Sequence, residues 1–151
     1  MTTLRDRLIG TWHLVSYEAR RAGGETIFPM GEKLEGRITY TEGGDVSVHV
    51  MAPGRPNLAS GDISQGTTEE WAAAARGYFG YCGTFEVDDE RNRVTHVVAL
   101  SLVPNWIGER QVRHVDLAGD RLELSGPPTR IAGTIRTAHL VWRRASPARA
   151  G

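Results

Sequence analysis

Cysteine is almost missing from this chain: Cys82 is the single one in 151 residues. That excludes an internal disulfide and any zinc site built on cysteine pairs, and it fits a reducing compartment. Net charge is missing too, since 18 lysines and arginines balance 18 aspartates and glutamates. A balanced chain lacks the electrostatic footprint of a nucleic-acid or anionic-membrane binder. No apolar run approaches the roughly 18 residues needed to cross a bilayer. The opening MTTLRDRLIG has neither the basic segment nor the apolar core of a signal peptide, so a soluble, cytoplasmic protein is expected. The five histidines (His13, His49, His96, His114 and His139) form no H-x-x-x-H or H-x-H pair, and no metal is expected. Ser101 stands outside any G-x-S-x-G context, which argues against a serine hydrolase. Glu42-Gly43-Gly44 lacks the phosphate-loop pattern and reads as a turn. Internal repeats and low-complexity segments are also absent.

What is present is a series of short alternating segments. The run VTHVVALSLVPNW, Val94 to Trp106, organises the rest. Val94, His96, Val98, Leu100 and Leu102 share one phase of a strand, and Pro104 ends it. A strand apolar on both faces needs cover on both sides, which a closed barrel supplies. Before it, Thr3 caps a short helical turn over Leu4 to Leu8. A strand follows from Gly10 to Glu18, with Trp12, Leu14 and Ser16 in one phase and His13, Val15 and Tyr17 in the other. A short strand covers Thr26 to Phe28. Arg37 to Thr41 and Asp45 to Met51 flank Glu42-Gly43-Gly44 as a hairpin. A long loop runs from Pro53 to Gly66, the kind that is functional or mobile. Thr67 to Gly77 is the convincing helix, with Thr67 and Glu70 forming a capping box ahead of four alanines. Further strands cover Tyr81 to Val87, Arg110 to Leu117, Arg121 to Ser125 and Ile135 to Arg143. The expectation is one all-β domain over residues 1–144 with a frayed tail, 145–151. Its form is an antiparallel up-and-down barrel of about 8–10 strands, one short helix lying between the fourth and fifth; a two-sheet sandwich is the rival.

Gly10-Thr11-Trp12 on the first strand, after a short helical turn, resembles the glycine-x-tryptophan opening of lipocalins. The blocks LIGTWHLVSYE, GRITYTEGGDVSVHVM, TTEEWAAAARGYFGYCGTFEVD, VTHVVALSLVPNW, QVRHVDLAGDRLEL and HLVWRR, in that order, make the chain similar to the small microbial lipocalin-like domain proteins from Leu8 to Arg144. The resemblance implies a barrel whose cavity holds a small, mostly apolar molecule. It also implies a bacterial, secondary-metabolic setting, in which related barrels include cofactor-free cyclases and isomerases. Barrel resemblance does not give a reaction, because function lives in the site. No cofactor is expected. A single-histidine haem site stays open as a minor alternative, although the glycine-rich opening of nitrobindin is missing and Trp12 is followed by HLVSYE.

The candidate site follows from strand phase. His96 shares a phase with aliphatics; it is either a core histidine bonded to a neighbour or a ligand-binding or proton-moving group. His49 is a second candidate, in phase with Ser47 and Met51, with the inward phase undecided. Arg113 shares its phase with Val115 and Leu117, so it must be paired, reach the rim or face a ligand, since burying it alone is prohibitive. Tyr40, Tyr78, Tyr81, Phe85, Trp106 and Trp142 are candidates for an aromatic lining or for plain core. Ser101 and Asn105 flank Pro104, where they bond a ligand or cap a turn. The main expectation is a small-molecule-binding barrel, acting as a monomer or homodimer on a small apolar or aromatic ligand without nucleic acid or membrane. The alternative is a cofactor-free cyclase, isomerase or dehydratase on a polyketide- or terpenoid-like intermediate, with His96 or His49 moving a proton.

Overall fold

A computed structural model describes residues 2–146. Ten strands form one continuous antiparallel sheet: β1 (Gly10–Arg20), β2 (Thr26–Ile27), β3 (Glu35–Tyr40), β4 (Asp45–Met51), β5 (Tyr78–Asp88), β6 (Arg93–Ser101), β7 (Arg110–Ala118), β8 (Arg121–Ser125), β9 (Thr129–Ile131) and β10 (Thr134–Arg144). Neighbours follow chain order apart from two short flaps, β2 beside β1 and β9 beside β10. β1 pairs with β10 from Trp12↔Arg144 to Arg20↔Thr137, which closes eight strands into an up-and-down barrel. The barrel expectation therefore holds over the sandwich. β9 is an addition, lying in what reads from sequence as a loop after Gly126.

Helix α1 (Leu4–Leu8) caps one end of the barrel, and the reason lies in its sequence. Thr3 and Asp6 close a capping box, Leu4 and Leu8 turn inward, and the Leu4 N–H donates to Asp89 Oδ1 at 2.8 Å. Trp12 is fully buried beneath it, its indole donating to the Leu8 carbonyl at 2.9 Å. The Arg144 guanidinium lies 4.1 Å over the Trp12 ring and donates to the Ile9 and Arg7 carbonyls. Gly10 adopts φ +128°, a conformation open to glycine, so that the chain turns from helix into strand against that arginine. The glycine-x-tryptophan pair is thus the plug of the closed end.

Helix α2 (Thr68–Arg76) stands between β4 and β5, with Thr67 and Glu70 forming the expected box. The loop before it is fastened to the helix: Arg55 donates to the Ala74 carbonyl and the Ala59 N–H donates to Glu70. Ala145 donates to the Thr11 carbonyl at 2.9 Å, so the ladder runs one residue beyond β10. The remainder of the expected frayed tail, 147–151, lies outside the described residues.

Two bulges correct the reading of strand phase. In β1, Leu14 pairs with Trp142 and Ser16 with Val141, leaving Val15 without a partner. Before the bulge Trp12 and Leu14 face inward; after it Tyr17 and Ala19 do, and Val15 is 49% exposed. In β6, Gly83 of β5 pairs with Val98 and Cys82 with Leu100, leaving Ala99 out of register. Val94, His96 and Val98 lie inside, but Leu100 turns outward and is 68% exposed. Leu102 lies beyond the strand and is also exposed. Gly83 is required here, because a Cβ on it would lie 1.8 Å from the Val97 carbonyl oxygen.

Candidate functional site

Above the closed end, the barrel holds a cavity of about 700 Å³. That is within the ordinary range of small-molecule sites. Its walls come from nearly every strand, because inward positions of β1, β5, β6, β7, β8 and β10 converge on it. Tyr17, Phe79, Trp106 and Tyr81 form an edge-to-face chain along one side, with ring centroids 5.7 to 6.3 Å apart. Leu140, Ala138, Leu124 and Trp142 of β8 and β10 continue the apolar lining, Leu140 being the ladder partner of Tyr17, and Pro29 and Met30 reach in from the loop after β2.

At its floor lies a buried polar group. His96 is 1% exposed and bonds two tyrosine hydroxyls at 2.7 Å each, Tyr40 at Nε2 and Tyr81 at Nδ1. Burial, with the Arg113 charge adding to it, pushes the imidazole down to about 3. The ring is therefore neutral, with one donor nitrogen and one acceptor nitrogen. Tyr40 is buried below the cavity and, among the described residues, its hydroxyl has no other hydrogen-bond partner. The arrangement that orphans no buried donor has Tyr40 donating to Nε2 and Nδ1–H donating to Tyr81. Tyr81 lines the cavity, so its own O–H is free to point into it. Burial pushes the Tyr81 phenol up to about 12 against the opposing pull of Arg113, and holds Tyr40 well above its ordinary value, with Tyr81 adding to the effect.

Arg113 lies on the inward phase of β7 with Gln111 and Val115. Its guanidinium donates to Gln111 Oε1 at 3.0 Å and to the Val112 carbonyl at 3.1 Å. Gly126 leaves the space beside it open; a Cβ there would sit 3.4 Å from Nη1. The arginine is neither on the outer skin nor paired with a glutamate among the described residues.

The structure thus gathers six of the sequence candidates around one cavity, Tyr78, Tyr81, His96, Trp106, Arg113 and Trp142, with Tyr78 at its edge and also bordering an outer groove. Others fall elsewhere. Tyr40 and Phe85 pack edge-to-face in the closed-end core, with Arg5 over the Phe85 ring. Ser101 accepts a hydrogen bond from the Val103 N–H, and Asn105 is exposed in the 3₁₀ turn Pro104–Trp106. His49 needs correction. Val46, Val48 and Val50 hold the inner phase of β4, so His49 faces outward, bonded to Ser47 and the Tyr78 hydroxyl. It borders a separate outer groove of about 440 Å³ with His13, Arg37 and Met51.

Sequence reasoning passed over Tyr17, Phe79, Gln111, Leu140 and Met30. Gln111 and Phe79 were findable by extending the phases of Arg113 and Tyr81 by two residues. Tyr17 was hidden by the Val15 bulge, and Met30 comes from a loop with no periodic signal. Among the described residues no three His, Cys, Asp or Glu side chains gather as a metal site. His96 is the one histidine on this cavity wall, and an iron ligated there would have to displace a tyrosine. No helix is long and apolar enough to cross a membrane among the described residues.

Comparison with known proteins agrees with this geometry. The 4'-hydroxy-3'-methoxypropiophenone carrier protein ppsC of the fungus Aspergillus oryzae is 42% identical over 106 residues, covering 66% of this chain and 96% of that protein. A family model described as a lipocalin-like domain matches residues 9–145. With its eight-strand closure, its Gly10-Thr11-Trp12 plug and that match, the chain belongs to the lipocalin-like domain family.

Proposed function

We propose that this protein is a carrier for a small aromatic ketone or related aromatic metabolite, which it holds inside the barrel. The observation that carries the reading is the cavity itself, about 700 Å³ and walled by Tyr17, Phe79, Trp106, Leu140 and Trp142, with a few polar groups at fixed points. Apolar walls supply affinity, and isolated donors fix orientation. The fungal relative, named as the carrier of a methoxylated hydroxyphenyl ketone, supports the same ligand class. A cyclase, isomerase or dehydratase would need a proton-moving group with a free face. His96 has both nitrogens engaged and is held neutral far below pH 7, which favours carriage over proton transfer.

Titration with 4'-hydroxy-3'-methoxypropiophenone, followed by tryptophan fluorescence, tests the proposal, since Trp106 and Trp142 both line the cavity. The expected result is saturable one-to-one quenching that Ala138→Phe abolishes without a large change in melting temperature. Unsaturable quenching, or equal affinity in Ala138→Phe, would overturn the reading. Native mass spectrometry of freshly purified protein then identifies any co-purifying molecule.

A further inference from the structure

We propose that the cavity takes its aromatic ligand as an anion, with a negatively charged oxygen set against the Arg113 guanidinium. The inference rests on the carrier reading and adds the charge of the cargo to it. Its starting point is an imbalance. The whole chain is neutral, 18 against 18, yet the cavity wall carries Arg76, Arg110, Arg113 and Arg130 against a single carboxylate, Glu109.

The four cations are not equivalent. Arg110 is met outside the barrel by Glu86, and Arg130 donates to the Gly133 carbonyl at the β9–β10 turn. Among the described residues Arg113 has only neutral acceptors, the Gln111 side chain and the Val112 carbonyl. Glu109 reaches it only at one remove, through a 3.4 Å contact with the amide of Gln111. The titratable side chains facing the guanidinium offer no counter-charge. Tyr17 of β1 and Tyr81 of β5 are held protonated by burial, and His96 of β6 is held neutral. Arg113 acts electrostatically on all three. Arg113 is half-buried, and a guanidinium set partly out of water beside apolar walls attracts an anion more strongly than one in bulk solvent. Its fork matches a carboxylate or an aryl oxide.

Two further features keep the position open for such a group. Gly126 stands where a side chain would crowd Nη1. The free Tyr81 O–H supplies a second donor on the same cavity wall. Together they form a donor-rich corner in an otherwise aromatic pocket. A phenol with an acyl group para to it suits the corner, because its conjugate base spreads charge into the ketone oxygen and forms readily. A ring carboxylate offers the same chemistry from another source.

Three probes separate the possibilities: 4'-hydroxy-3'-methoxypropiophenone, its 4'-O-methyl ether, and 4-hydroxy-3-methoxybenzoate. Absorbance of the phenolate band, followed against pH with and without protein, reads the ionisation state of the bound hydroxyketone directly. Its ionisation midpoint is expected to fall by about one pH unit or more on binding, equivalent to about tenfold preference for the anion. The ether is expected to bind at least about tenfold more weakly than the hydroxyketone above that midpoint. Arg113→Met should erase the midpoint shift while keeping affinity for the ether, and Arg113→Lys should retain much of the shift. The lysine variant keeps the test valid if the methionine variant folds poorly. Tighter binding of the benzoate than of the hydroxyketone would assign the corner to carboxylates and still support an anionic cargo. Binding of the hydroxyketone with an unchanged or raised midpoint, and with affinity equal to that of the ether, would overturn the proposal and leave the carrier reading standing. If none of the three binds, both fall.

Discussion

Replacing His96 by glutamine isolates the imidazole at the floor of the cavity, whose titration burial perturbs strongly. The unfolded imidazole titrates near 6.5, whereas in the fold burial and the Arg113 charge hold it down at about 3. Between those values the unfolded chain binds a proton that the folded chain refuses. Stability therefore rises with pH across this window: the contribution is whole above about 6.5 and is lost as pH falls toward 3. Each pH unit in the window corresponds to about 1.4 kcal/mol. By pH 4.5 the wild type should have lost roughly 3 kcal/mol from this group alone, and on the order of 4 kcal/mol by pH 3. Glutamine keeps a donor and an acceptor for the Tyr40 and Tyr81 hydroxyls but does not titrate. Urea denaturation of both proteins at pH 7.5, 5.5 and 4.5 gives the comparison. Carboxylates common to both cancel in the difference between the two curves. His96→Gln should be less stable at pH 7.5, and the gap should narrow as pH falls. Parallel curves would refute the reasoning, because they would mean that the imidazole is not kept neutral by the fold.

Two further substitutions test the packing that shapes the site. Gly83→Ala should destabilise by roughly 3 kcal/mol or more, since its methyl would collide with the Val97 carbonyl and the bulge cannot retreat without losing register; a melting temperature within a degree or two of wild type would count against the bulge. Tyr40→Phe should cost about 1–3 kcal/mol by leaving His96 Nε2 buried without a partner. Tyr81→Phe should cost less in denaturant titrations, because its place opens on the cavity and water or ligand can replace the hydroxyl. Equal losses for the two tyrosines would contradict the division between a buried partner and a cavity-facing one.

Much of the architecture was legible in the residues because its signals are local. Period-two alternation marked the barrel strands, the Glu42-Gly43-Gly44 turn placed the β3–β4 hairpin, and Thr67 with Glu70 opened α2 where the capping box requires. The same alternation grouped His96, Arg113 and Trp142 with aliphatic neighbours, and the structure set those phases inward. Tertiary structure decided what local period cannot carry. The single-residue bulges at Val15 and Ala99 reverse phase midway through a strand, turning Tyr17 in and Leu100 out, and a bulge leaves no mark in hydrophobicity. His49 sits in the phase opposite Val46, Val48 and Val50, and only the folded sheet settled that those valines, and not the histidine, face inward. The chain alone determined an antiparallel barrel, with an imidazole and a guanidinium each in phase with aliphatic residues. Strand register across β3 to β7, and the curl of that sheet, brought Tyr40, Tyr81 and Arg113 around that imidazole, because contacts between strands depend on register and register is a property of the whole sheet.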